Sequence, residues 1–191
     1  MNTRRFGGNR LAVSRLLLVG GCVGLLSACP TETESCREPV RQVALAGADA
    51  NPGLGTFRGQ LIWLQTGEPT ELVVRTTPRE SVVELSCASG SVQLDTHIDS
   101  ADGLLSFDLQ QNAEVNGEGV VTFTGVSVAA DALALAEAGK LPDASDIAER
   151  QPSATVAFAQ QDDGTWAASV TVSTSTDYFH AAIGTLERDP S

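Results

Sequence analysis

The chain has 191 residues, of which 12 are basic and 24 acidic, for a formal charge of −12. That excess of acid excludes nucleic acid and other polyanions as partners, because such binding rests on neutralising phosphates with Lys and Arg. The length is enough for one domain with a real core, and only two histidines, His97 and His180, are present to carry imidazole chemistry.

Residues 1–15 carry Arg4, Arg5, Arg10 and Arg15 and no acid, and Leu16–Ala28 follows as thirteen uncharged residues rich in Leu, Val and Gly. A positive n-region, a short apolar h-region and small residues before a cut make a secretory signal. Thirteen residues at a helical rise of about 1.5 Å reach roughly 20 Å. That is short of the ~30 Å hydrocarbon core, so the segment is not read as a spanning helix.

Leu26, Ser27, Ala28 and Cys29 close this segment, and together they resemble the lipobox of bacterial lipoproteins. The resemblance covers residues 1–29 alone. It implies that the Cys29 thiol receives a diacylglyceryl group, that signal peptidase II cleaves before it, and that the new amino terminus is often acylated. Cys22, behind Val19-Gly20-Gly21, is the weaker candidate, since a cut there leaves the apolar Val23–Ala28 on the mature chain. Two or more acyl chains, at about 0.8 kcal/mol per buried CH₂, hold a protein stably at a bilayer. Residue 30 is Pro, where an Asp often retains Gram-negative lipoproteins at the inner membrane. The outer membrane is therefore expected over the inner.

Removing residues 1–28 leaves 163 residues and takes the formal charge from −12 to −16, a loss of four arginines. The expectation is an exported protein that meets the membrane through its lipid while its acidic body stays off anionic lipid surfaces. An envelope protein is a further candidate partner, and no cofactor is expected. Of the four cysteines, Cys36 and Cys87 are left over. In an oxidising compartment such a pair is most simply a disulfide, closing a loop of about 50 residues and worth about 2–4 kcal/mol. A redox pair fits less well, since no C-x-x-C spacing is present.

Residues 29–39, the lipidated Cys and a polar stretch of Thr, Glu and Ser, read as a tether, and the folded domain is expected over 40–187. Val40–Ala46 reads as a first strand and Gly47–Gly55 as a loop. Phe57–Gln65 sends Phe57, Leu61 and Trp63 to one face. After a turn at Thr66–Pro69, Glu71–Thr77 alternates and Pro78 stops it. Ser81–Cys87 puts Val83, Leu85 and Cys87 on a single, inward face. Ser89-Gly90 reads as a turn. Ser91–Ile98 then alternates with Val92, Leu94 and Ile98 inward and Gln93, Asp95, His97 and Asp99 outward, the period-two pattern of a half-buried strand.

Asp99–Gly103 turns the chain into Leu104–Leu109, and Asn116-Gly117 marks another turn. In Val120–Val128 the inward face is expected to switch at Gly125, from Val121 and Phe123 to Val126 and Val128. Ala129–Ala138 reads as a short helix with Gly139 as its C′ residue, and a helical turn is expected from Asp146. The β pattern resumes as a hairpin, Ala154–Gln160 and Thr165–Thr174, with Trp166, Ala168, Val170 and Val172 inward. Tyr178–Leu186 is the last strand, and Glu187–Ser191 frays. Eight or nine short strands with one helical insertion argue an all-β antiparallel sandwich. A small closed β-barrel is the alternative.

Candidate chemistry is sparse. His97 lies between Asp95 and Asp99 on one outer face, roughly 7 Å from each at strand rise. Such a trio could ligate a divalent ion or supply the base and orienter of a hydrolase, although a solvated strand face carries the same residues. No G-x-S-x-G, H-E-x-x-H or S-x-x-K motif occurs, so no catalytic residue is assigned and an enzyme is not expected. The acidic turns Asp99/Asp102 and Asp162/Asp163 supply too few oxygens each for calcium, which needs six to eight, so no metal ligand is assigned. Trp63, Trp166 and Tyr178 could stack on a sugar, but both tryptophans alternate in phase with core residues. The resulting expectation is a lipid-anchored envelope protein whose acidic β domain is a binding or structural module. Its alternatives are a carrier of a small ligand or divalent ion, and a hydrolase using His97 with neighbouring carboxylates.

Overall fold

The computed structural model describes residues 39–141, 151–174 and 180–190. Its elements are β1 (Arg41–Ala44), β2 (Gly55–Trp63), β3 (Pro69–Pro78), β4 (Val82–Leu85), β5 (Ser89–Ser100), β6 (Ser106–Asn116), β7 (Val121–Thr122) and β8 (Gly125–Ala129). After these come α1 (Ala132–Glu137), β9 (Ser153–Gln160), β10 (Trp166–Ser173) and β11 (His180–Arg188). β1 pairs with β4. The other nine strands form one sheet in the order β7-β6-β5-β3-β2-β11-β10-β9-β8, antiparallel at every step. The class is all-β with one short helix, as the alternating pattern predicts.

Strand alternation builds the core. On β5, Val92, Leu94 and Ile98 are buried while Asp95, His97 and Asp99 lie on the other face. Phe57 on β2 and Phe158 on β9 are three strands apart in the sheet order, yet their rings sit 4.9 Å apart, and Phe123 lies 5.4 Å from Phe158. The sheet therefore curls until its inner face packs on itself, a sandwich-like half-barrel. It does not close as the barrel alternative required: β7 and β8 are its two ends. Those ends are joined by only Phe123-Thr124.

Gly125 makes that transfer between ends. Its φ of +156° and the 2.2 Å that would separate a Cβ from the Val156 carbonyl oxygen leave room for no side chain. Across it the inward positions change phase, from buried Val121 and Phe123 to half-buried Val126 and Val128, as the alternation predicts. A one-residue change of phase moves every later side chain to the other face.

The Ala/Leu stretch forms α1, started by Asp131, whose carboxylate accepts from the N–H groups of Leu133 and Ala134 at 2.9 and 3.1 Å. It ends in a Schellman motif: Gly139 N–H donates to Ala136 and Lys140 N–H to Leu135, at 2.9 and 2.8 Å. Leu135 is fully buried in the core. The helical turn expected from Asp146 and the residue Tyr178 lie outside the described residues.

Three sequence expectations are corrected. β6 runs to Asn116 rather than stopping at Leu109, because Ala113 and Val115 continue the buried alternation through a polar stretch. β11 extends to Arg188 in place of a frayed end, because that guanidinium is held by three carbonyls (below). β4 ends at Leu85, so Cys87 does not face inward: it is exposed, with φ +58°, in a tight turn with Ala88.

The cross-link is corrected with it. No disulfide bond is present among the described residues: Cys87 is the only cysteine among them, and Cys36 lies outside them. The expected Cys36–Cys87 bridge is thus no feature of the described fold, although Cys87 is not a free thiol.

Candidate functional site

Neighbouring strands set a row of functional groups on the outer face of the sheet. The register pairs Arg75 on β3 with His97 on β5, and His97 with Asp108 on β6. His97 Nδ1 lies 2.7 Å from Asp108 Oδ1. A carboxylate only accepts, so Nδ1 carries the proton and the ring orientation is fixed. Asp95 and Asp99, the expected partners on the same strand, are not bonded to His97. Asp95 is taken by Arg79, whose Nε donates to its two oxygens at 3.0 and 2.9 Å while Nη1 donates to Gln93 at 2.9 Å.

His97, Asp108, Asp95 and Arg79 line a shallow groove of about 420 Å³ with Arg75, Thr77 and Leu109. Chemically it holds a base with its orienter and two guanidinium groups. Among the described residues no hydroxyl or thiol is bonded to His97. Thr96, in the groove floor, is buried and shares its hydroxyl with Thr76 at 3.2 Å and Gln111 at 3.3 Å.

A second, larger cleft of about 1010 Å³ lies at one end of the sheet, where the β9–β10 turn meets the end of β11 and Asp49. Two of its acids have local duties. Asp163 accepts from the Thr165 hydroxyl at 2.6 Å and the Thr165 N–H at 2.9 Å, which holds its carboxyl below the usual range. Asp189 pairs with Arg58 at 2.7 Å. Among the described residues no group of three or more His, Cys, Asp or Glu gathers where a metal ion could sit.

Two polar anchors escaped the sequence reading. At one, buried Trp63 donates Nε1–H to Asp102 at 2.8 Å, and Lys140 lies 5.7 Å over the Trp63 ring while donating to Glu68 at 2.6 Å. Both tryptophans serve packing as their phase implied, Trp63 wholly buried and Trp166 half-buried against the core. At the other anchor, Arg188 donates to the carbonyls of Ala48 (2.7 Å), Asn51 (3.1 Å) and Leu54 over the Phe57 ring. Burial lowers the Arg188 pKa, and Asp49 opposes that shift. Asn51, fully buried, donates to Ala46 and accepts the Val121 N–H, each at 2.6 Å.

His180 is exposed at the start of β11, away from His97 in the sheet order. Cys29 and the whole lipobox lie outside the described residues. No protein-family model matches the chain, and no curated protein matches it significantly.

Proposed function

We propose that this chain is an exported lipoprotein, anchored through Cys29, whose acidic β domain serves as a binding or structural module of the cell envelope. The observation that carries this reading is Leu26-Ser27-Ala28-Cys29 behind an arginine-bearing, acid-free leader and a thirteen-residue apolar stretch. An acidic body suits the role, since it stays dissolved at an anionic surface while lipid supplies the attachment. The domain's interior is filled by Phe57, Leu61, Trp63, Leu72 and Leu94, all wholly buried, which favours recognition on the outside over carriage within.

A Cys29→Ala variant tests the anchor. The wild type should sediment with membranes and take up labelled fatty acid, and the variant should do neither. Membrane association that survives the substitution removes the reading. The hydrolase alternative has one observation in its favour, the His97–Asp108 pair. Its test is hydrolysis of activated esters by the wild type but not by His97→Gln.

A further inference from the structure

We infer that β8 is a self-pairing edge, through which two copies of this chain join their sheets about a two-fold axis at Ser127. The inference is independent of the lipid anchor. Among the described residues β8 pairs with β9 alone. The bonds flanking that ladder, Phe158 N–H to Thr124 and Ala130 N–H to Pro152 at 3.0 and 2.8 Å, show that even-numbered residues turn their main-chain groups toward β9. In an antiparallel strand with one neighbour the alternate residues face away. Gly125, Ser127 and Ala129 therefore present N–H and C=O groups outward.

Exposed edges are normally guarded by Lys, Pro, bulges or extreme shortness. The sheet's other end is guarded: β7 is two residues long, its Val121 N–H is taken by Asn51, and its neighbour β6 bears Asp108 and Glu114. β8, Gly-Val-Ser-Val-Ala, has none of these devices.

Charge selects the occupant. Two copies of a chain with net charge −12 repel each other wherever carboxylates face. Yet β8, β9 and β10 contain no Asp, Glu, Lys or Arg, so three successive strands can approach their copies without opposing like charges. The sequence of β8 is also near-palindromic about Ser127, which a two-fold requires, because each contact is made twice with the roles exchanged. Val126 of one copy falls opposite Val128 of the other, and Gly125 opposite Ala129. The outward groups of residues 125, 127 and 129 then supply about six main-chain hydrogen bonds. The half-buried Val126 and Val128 gain cover.

The test uses the full chain in detergent, by sedimentation equilibrium. Wild type should show a concentration-dependent dimer. Ser127→Lys, at an exposed position on the axis, should weaken it at least tenfold. Ser169→Lys, exposed on the same face of β10 but off the edge, should leave it intact. Ser127→Cys should give a dimer-sized product with a short, membrane-permeant bis-maleimide in intact cells. A wild type that stays monomeric, equal weakening by both lysines, or a cross-link to a different polypeptide would each overturn the inference. Circular dichroism of the lysine variants separates loss of pairing from loss of fold.

Discussion

Trp63 and Asp102, 39 residues apart in the chain, are joined by the indole N–H donating to the carboxylate at 2.8 Å. Ser100 donates its hydroxyl to the same carboxylate at 2.6 Å and Leu104 its N–H at 3.1 Å, so one acid ties the end of β2 to the β5–β6 turn. Burial works against the Asp102 charge, but these hydrogen bonds prevail and hold its carboxyl below the usual carboxylate range.

A carboxyl whose folded pKa lies below its unfolded value adds stability that is full above the unfolded value and fades as pH falls through the folded one. Asp102→Ala also orphans the buried Trp63 N–H. At pH 7 the substitution should cost about 1 kcal/mol, reduced from the buried-group range because water reaches the carboxylate. The charge-dependent part of that loss should shrink below about pH 4. Urea midpoints at pH 7 and pH 3 measure it; a penalty that does not fall with pH would contradict the assignment.

Lys140 is the mirror case, a cation 9% exposed whose partner Glu68 is 66% exposed. Its stem packs at the end of α1 while its amine meets Glu68 and the Trp63 ring. Replacing a buried charged group by an apolar one of similar volume is often neutral, whereas removing the stem loses packing. Lys140→Met should thus be tolerated and Lys140→Ala should lose about 1–3 kcal/mol. Equal losses for the two variants in guanidinium unfolding would mean that the charge, not the stem, fixes α1.

Arg188 closes the opposite end by donating from Nη2 to three carbonyls of the segment before β2. A lysine ends about one bond short of Nη2 and loses the planar guanidinium that lies over the Phe57 ring. Arg188→Lys should cost about 1–3 kcal/mol and open residues 46–54 to proteolysis. Unchanged cleavage there would count against the anchor.

The His97–Asp108 pair is a surface feature, with side chains 47% and 91% exposed. Exposed pairs of this kind contribute about 0–1 kcal/mol. His97→Gln should therefore leave the melting temperature within a few degrees of the wild type. A large loss of stability would make the pair structural and remove the groove as a candidate site.

What the sequence made legible follows local rules. Alternation located the strands, the Ala/Leu composition and Gly139 located α1, and the phase change at Gly125 was readable because glycine is the residue that tolerates it. Pairings across strands were not legible. His97 meets Asp108 because the β5–β6 turn sets that register, and nothing on β5 alone distinguishes Asp108 from the nearer Asp95 and Asp99. Cys87 was misplaced because the turn falls on Cys87-Ala88, two residues with positive φ and no glycine to announce it. Gly90, read as the turn, instead lets β5 pass the Glu84 carbonyl, from which a Cβ would stand 2.7 Å. Arg188 sits in a polar tail whose partners come from the other end of the domain.

The account rests on Cys29, and mass spectrometry of the amino-terminal peptide of the membrane-purified protein tests it most directly. The prediction is a chain that begins at Cys29 and carries diacylglyceryl on its sulfur. An unmodified amino terminus at any other residue would contradict it.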